Sequence, residues 1–295
     1  MMRPMDRTVL LSGLGFAEGP RWRPAEDRLF FSDMGTKQVM RLGLDGTVEE
    51  VCVVENRPSG IGWLPDGRML VVSQNDRRVL RLEGDDLVTH ADLSGLASGA
   101  CNDMVVDGRG NAYVGNPGYD MRNPPSPLPP AEVVLVRADG RAEVVDREVM
   151  FPNGSVVTPD NQTLVVGETM GQRLTAFDIA DDGTLSNRRT FADMAGRAPD
   201  GIALDAEGAV WVADANGHAC VRVREGGEIT DVVDLGDRHC FACALGGPDR
   251  RTLFLLTGAG FSGDAIRSRT GAIEVVDVDV PGAGCGWRRR RSQPR

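Results

Sequence analysis

One phrase recurs six times along the chain, and it limits the possible folds more than any other feature. A small or polar residue opens it, an apolar stretch follows, then a P-D or D-x-x-G turn, then a second apolar run. The copies begin at Glu18-Gly19-Pro20-Arg21-Trp22, Ser59-Gly60-Ile61-Gly62-Trp63, Asn102-Asp103-Met104-Val105-Val106, Asn153-Gly154-Ser155-Val156-Val157, Asp200-Gly201-Ile202-Ala203-Leu204 and Ala242-Cys243-Ala244-Leu245-Gly246. The turns keep their offset. Pro24, Pro65, Pro159 and Pro248 lie six positions after their anchors, and Asp107 and Asp205 lie five after theirs. The anchors Glu18, Ser59, Asn102, Asn153, Asp200 and Ala242 are 41, 43, 51, 47 and 42 residues apart. That is the period of a propeller blade of four short strands.

The period predicts an all-β, six-bladed β-propeller with blades of four antiparallel strands. Blade two reads as strands over 61–64, 68–73, 78–82 and 87–91, and blade five as 202–205, 209–213, 219–224 and 228–233. Asp66-Gly67, Asp139-Gly140 and Asp182-Gly183 supply hairpin turns between such runs. Blade six offers three strands, over 242–246, 252–256 and 272–276. Thr8–Leu11 at the N-terminus is expected to be its fourth, tying the chain ends together and hiding a sheet edge. The single domain is placed at 1–287, with 288–295 a basic tail expected to fray. The long third repeat owes its excess to 115–132, with Pro117, Pro124, Pro125, Pro127, Pro129 and Pro130. Proline-rich chain is excluded from a central strand, so this segment must leave the blade as a loop beside the channel mouth, a candidate lid.

Composition excludes several function classes. Lys+Arg is 33 against Asp+Glu 43, a net charge of −10, which argues against nucleic acid or an anionic membrane as partner. No apolar run approaches a membrane span of roughly 18 residues. The apolar stretch in 1–11 is too short for a signal peptide, so a cytoplasmic location is expected. Lys37, the sole lysine, is in no phosphate-loop pattern. Gly258-Ala259-Gly260-Phe261-Ser262-Gly263 matches G-x-G-x-x-G, but no helical period follows, and a loop is expected. There is no H-E-x-x-H and no G-x-S-x-G. His218 is placed in a solvated turn. Of the six cysteines, the C-x-x-C pair Cys240 and Cys243 sits in an apolar run, which points to buried thiols rather than a redox or zinc site.

The anchors carry the chemistry. In a propeller the innermost strands line the channel, so equivalent positions from different blades converge on one axis. Glu18, Asn102, Asn153 and Asp200 bring side-chain oxygen there, while Ser59 and Ala242 are small. Two carboxylates and two amides form a hard-cation site, and their two charges balance one divalent ion. Taken singly, Asn-Gly and Asp-Gly are also turn formers. It is their recurrence at one repeat position, and the cost of burying two like charges together, that favours a metal.

Together with Phe16-Ala17-Glu18-Gly19-Pro20, Leu29-Phe30-Phe31-Ser32-Asp33, Pro58-Ser59-Gly60, Asn102-Asp103-Met104, Phe151-Pro152-Asn153-Gly154 and Pro199-Asp200-Gly201-Ile202, the chain resembles the SMP-30/gluconolactonase/LRE family of six-bladed propellers over about residues 8–280. The resemblance implies one divalent cation (Ca²⁺, Zn²⁺, Mn²⁺ or Mg²⁺) held by Glu18, Asn153 and Asp200, with Asn102 touching metal or substrate. It implies Asp200 as the catalytic group and a small-molecule lactone or ester as substrate. Sugar-lactonase members often carry an arginine two residues before the Asn, where this chain has Ala100. Asn116, Tyr119, Asp120 and Arg122 in the lid are expected to share in recognition. Asp200 acts on the attacking water as base, or attacks directly. Asp103, beside Asn102, is a second candidate base and a substrate-side residue. Phosphotriester hydrolysis, and a metal-bound propeller that binds a small molecule or partner without turnover, are the alternatives. The sequence leaves the oligomeric state open.

Overall fold

The computed structural model describes residues 5–284, and the expected tail at 288–295 and Cys285 lie outside them. Each repeat folds as one four-stranded antiparallel sheet, six in all. From the channel outward, blade one is Ala17–Arg23, Arg28–Asp33, Gln38–Leu42 and Val48–Val53. Blade two is Pro58–Trp63, Met69–Ser73, Arg78–Glu83 and Asp86–Asp92. Blade three is Met104–Val106, Ala112–Val114, Ala131–Val136 and Ala142–Val149. Blade four is Pro152–Val157, Thr163–Glu168, Arg173–Ile179 and Leu185–Asp193. Blade five is Pro199–Leu204, Val210–Asp214, Ala219–Val223 and Ile229–Asp234. Blade six is His239–Gly246, Thr252–Gly258 and Gly271–Asp277, with Thr8–Leu14 completing it from the other end of the chain. The N-terminal strand pairs antiparallel with Gly271–Asp277, Thr8 opposite Val275 and Leu14 opposite Gly271, so the predicted closure holds.

Burial follows from blade stacking. The second strands Met69–Ser73 and Val210–Asp214 are buried at every residue, because neighbouring blades cover both faces and leave no polar row. The outermost strand of blade one, Val48–Val53, is exposed except at the half-buried Val51 and Cys52. The core lies between blades. Leu70, Val72 and Val79 of blade two pack on Met104, Val114 and Val134 of blade three. A fully buried leucine such as Leu70 contributes about 1.5–3 kcal/mol over exposure. Each inner strand touches the inner strand of the next blade, and that of blade six touches blade one, so the ring is continuous.

Two expectations change in detail. Gly258–Gly263 does not remain a loop throughout. Ser262 caps a one-turn helix, Gly263–Arg267, by accepting from the Ala265 N–H, which is far too short for a dinucleotide-binding helix. His218 is not solvated. It is half-buried, its ring centroid lies 4.3 Å from that of His239, and its Nδ1 is buried without a partner. The Asn-Gly and Asp-Gly pairs at 153–154 and 200–201 lie within strands, not turns. The five described cysteines are free thiols, and burial pushes Cys101 up to about 12. Among the described residues no helix is long and apolar enough to cross a membrane.

Candidate active site

Five of the six anchors sit at the same local device. Pairing of the inner strand with its neighbour slips at the anchor in five blades: between Glu18 and Arg21, Pro58 and Ile61, Pro152 and Ser155, Pro199 and Ile202, and Cys240 and Ala242. A bulge bends a strand and re-aims one side chain. The glycine after the anchor is required by crowding. A Cβ on Gly60 would lie 2.2 Å from the Met104 nitrogen, and one on Gly154 would lie 2.4 Å from the Asp200 oxygen. Backbones meet around the axis at distances that no side chain fits.

The anchors form one polar cluster. The Ser59 hydroxyl donates to Asn102 Oδ1 (3.2 Å), and Asn102 Nδ2 donates to Asn153 Oδ1 (2.9 Å). Asn153 Nδ2 donates to Thr169 Oγ1 (3.1 Å), whose hydroxyl donates to the Pro199 carbonyl (2.7 Å), tying blade four to the strand that carries Asp200. Glu18 and Asp200 are each 8% exposed. The Glu18 carboxylate accepts only from the Gly19 N–H (3.2 Å), and neither carboxylate has an ion-pair partner within 4.0 Å among the described residues. Burial first, then the charges of Asp200 and Asp103, push the Glu18 carboxyl well above the usual range, against the Gly19 N–H and Arg57. Burial and Asp103 likewise raise Asp200, against the Asn153 amide and the Gly201 N–H.

A ring of clamps, not anticipated from the sequence, holds these strands. The second strand of a blade ends in a buried carboxylate or amide that receives the backbone N–H groups leading into its own anchor. Asp33 accepts from Gly15 and Phe16 (3.0 and 2.9 Å), Glu168 from Met150 (2.8 Å), and Asp214 from Ala198 (3.0 Å). In blade three the residue is Asn116. Its Oδ1 accepts from Gly99 (3.0 Å) and Gly118 (2.9 Å), and its Nδ2 donates to the Glu132 carbonyl (3.1 Å). Fully buried and committed on both ends, Asn116 does not line the mouth, contrary to its expected substrate role. The signal was present in the sequence: Asp33, Asn116, Glu168 and Asp214 each follow their anchor by 14 or 15 residues.

Against Asn102 opens a cavity of about 840 Å³. Asn102 is the one anchor among its lining residues, and Tyr119, Asp120 and Arg122 of the proline-rich loop line it as well. Asp103 lies elsewhere. Both its oxygens accept from Arg21 Nη2 (3.1 Å each), and Oδ1 also accepts from the Met104 N–H (2.9 Å). Its charge reaches Glu18 and Asp200, but its oxygens are engaged away from the cavity. Arg57, Arg77 and Phe151 also line it, none of them an expected site residue. A smaller cavity, about 170 Å³ and bordered by Arg21, Trp22 and Ser155, lies toward the far end of the inner strands and includes neither Glu18 nor Asp200.

The donor set fits a divalent cation. Two buried carboxylates without ion-pair partners among the described residues carry a large desolvation cost that an ion of charge +2 offsets, and the Asn153 amide lies against Asp200. Fold and cluster together define a class: a six-bladed propeller with a hard, oxygen-rich centre under a mouth cavity. Within it, the model of the SMP-30/gluconolactonase/LRE-like region matches residues 16–259, and the chain belongs to that family. A 6-deoxy-6-sulfogluconolactonase of Pseudomonas putida is 27% identical over 94% of this chain and 91% of its own. A pentonolactonase of Haloferax volcanii is 24% identical over 90% and 91%. Among solved structures, the calcium-binding regucalcin of Agrobacterium tumefaciens superimposes with a TM-score of 0.80 at 20% identity, over 97% of this chain and 98% of that one.

Proposed function

We propose that the protein is a divalent-cation-dependent hydrolase that opens a lactone ring at the channel mouth. The observation that carries this reading is the convergence of two buried carboxylates, unpaired among the described residues, with two amides, one of which, Asn102, lines an open cavity. Family membership and the two lactonase relatives support it. Glu18, Asn153 and Asp200 would hold the cation, and Asn102, at the cavity floor, would face cation or substrate. Calcium is one candidate, on the precedent of the superimposed regucalcin; magnesium, manganese and zinc also accept oxygen donors. Such an ion polarises a carbonyl and stabilises negative charge on its oxygen.

The side chains supply the rest. Asp200 has two carboxylate oxygens, so it can help hold the ion and also accept the proton of the attacking water. The water oxygen bonds to the carbonyl carbon, the ring C–O bond breaks, and the ring oxygen leaves with a proton as the new hydroxyl. Asn102 orients the substrate from the floor. Tyr119 presents its ring and hydroxyl from the lid, where it limits water around the reacting carbonyl. Asn116 acts at one remove, by fixing the backbone on both sides of the lid's base. Asp103 sets the local field through Glu18 and Asp200 while it pairs with Arg21.

The test is a pH-indicator assay on a panel of lactones. Protein stripped with chelator is compared with protein given back each of the four cations separately. Turnover that vanishes with chelator and returns with one of them is expected. Absence of turnover on every lactone with every cation, while a cation still raises the melting temperature, would leave a binding scaffold instead.

A further inference from the structure

The chain is acidic overall, at −10, yet the mouth cavity is lined by three arginines, Arg57, Arg77 and Arg122, and one aspartate, Asp120. Arg122 is spoken for: its Nε lies 3.0 Å from Asp120 Oδ1, and it is largely exposed. Arg77 makes one bond, from Nη1 to the Ala97 carbonyl (3.0 Å), and no ion pair among the described residues. Arg57 is half-buried and its guanidinium makes no hydrogen bond and no ion pair among the described residues. A guanidinium offers five N–H donors in a rigid fork. To leave all five without a protein acceptor at a cavity wall is to leave them for something that enters the cavity.

The backbone reinforces this. Arg57 has φ +77 and directly precedes Pro58, a position where a residue with a side chain is disfavoured twice over. It is pinned there, because its carbonyl accepts from the Gln74 N–H (2.9 Å). Phe151, at the same repeat position in blade four, has φ +60 and is held by the Thr169 N–H in the same way. Both side chains line the mouth. Ala100, the counterpart in blade three, also lines it and fills it with no more than a methyl group.

Arg57 does not serve as a bound counter-ion for Glu18, since no carboxylate lies within 4.0 Å of it among the described residues. Its attraction to Glu18 acts through space. Once a divalent ion neutralises Glu18 and Asp200, the positive field of Arg57 and Arg77 is left facing the cavity. We infer that the mouth is built for a lactone bearing an anionic substituent, a carboxylate, sulfonate or phosphate, which Arg57 grips with Arg77 beside it while the ring carbonyl lies over Asn102. The inference rests on the hydrolase reading and deepens it by naming the substrate class. A planar guanidinium suits such tetrahedral or planar oxyanions through paired hydrogen bonds.

The experiment uses the cation-loaded full chain and substrate pairs that differ only in the group at C6, neutral or anionic. Glucono-1,5-lactone is compared with its 6-phosphate and its 6-sulfonate, and with the lactone of the corresponding dicarboxylic acid. The parent is expected to favour at least one charged lactone in kcat/KM by roughly tenfold or more, and the charged member with the largest ratio identifies the substituent. Arg57→Gln is expected to lower that ratio by roughly 10- to 100-fold, and Arg57→Lys to restore part of it. Equal kcat/KM for every pair in the parent, or an unchanged ratio in Arg57→Gln, would overturn the inference. Should Arg57→Gln not fold, Arg77→Gln carries the same expectation and the same refutation. Calorimetric binding of 6-phosphogluconate against gluconate gives a readout without turnover. Selective, Arg57-dependent binding of the phosphorylated acid with no lactone turned over would sink the hydrolase reading and keep the anion site. Turnover without charge preference would do the reverse.

Discussion

Glu18→Gln should make the metal-free protein more stable and the metal-loaded protein less so. Glu18 is 8% exposed, has no ion pair among the described residues, and faces the charges of Asp200 and Asp103. Glutamine keeps the shape and can still accept from the Gly19 N–H, but it carries no charge to bury. An uncompensated buried group costs about 1–3 kcal/mol, and more when charged. The substitution should therefore raise the melting temperature in chelator by roughly 2–4 °C for each kcal/mol recovered. With free cation at a hundred times its Kd the parent gains about 2.7 kcal/mol, and the variant, short of one carboxylate, should gain far less. The rank order then reverses between chelator and cation. The pH dependence follows from the same charges. Burial raises the Glu18 carboxyl above its ordinary 4.5 and Asp200 above its ordinary 3.8, so the folded metal-free state binds protons more tightly than the unfolded chain. Their contribution to stability in chelator is fullest below those ordinary values and is lost as pH rises through the raised folded values. The assay is thermal unfolding of parent and variant, with chelator and with cation, from pH 5 to 8. A variant less stable than its parent in chelator at neutral pH would refute the reasoning, because Glu18 would then be a satisfied structural group.

Three more outcomes follow from the geometry. Asp200→Asn should cut turnover of the best lactone by roughly 10²- to 10⁴-fold, measured at saturating cation; hydrolysis at the parent rate would remove Asp200 from the chemistry. Gly60→Ala puts a methyl carbon 2.2 Å from the Met104 nitrogen, a backbone atom that cannot step aside, and overpacking of this kind costs about 3 kcal/mol, visible as a lower denaturant midpoint with an unchanged slope. Asn116→Ala strands the Gly99 and Gly118 N–H groups at about 1–3 kcal/mol; hydrogen exchange should accelerate at those two amides, and equal protection in the variant would contradict the clamp.

Much of the architecture was legible because it is periodic. Blade number, the four-strand count and the closing N-terminal strand all follow from a phrase repeated at propeller spacing, and the strands predicted for blades two and five lie within a few residues of those observed. The anchors were legible for the same reason: Glu18, Asn102, Asn153 and Asp200 share one repeat position, and closing a ring brings one position together from every blade. Their donor types were legible too, two carboxylates and two amides, the set behind the proposed hard-cation site. What only the tertiary structure decided is where each side chain near the mouth points. Asn116 and Tyr119 are three residues apart in one loop, yet the first turns inward to cap the backbone at Gly99 and the second lines the cavity. Asp103 is taken by Arg21, 82 residues away in the sequence, and Arg57 reaches the cavity through a strained φ that no local pattern announces. Repetition in sequence fixes what recurs in every blade, whereas the direction of a side chain at the mouth depends on contacts between blades, and those exist only once the ring has closed.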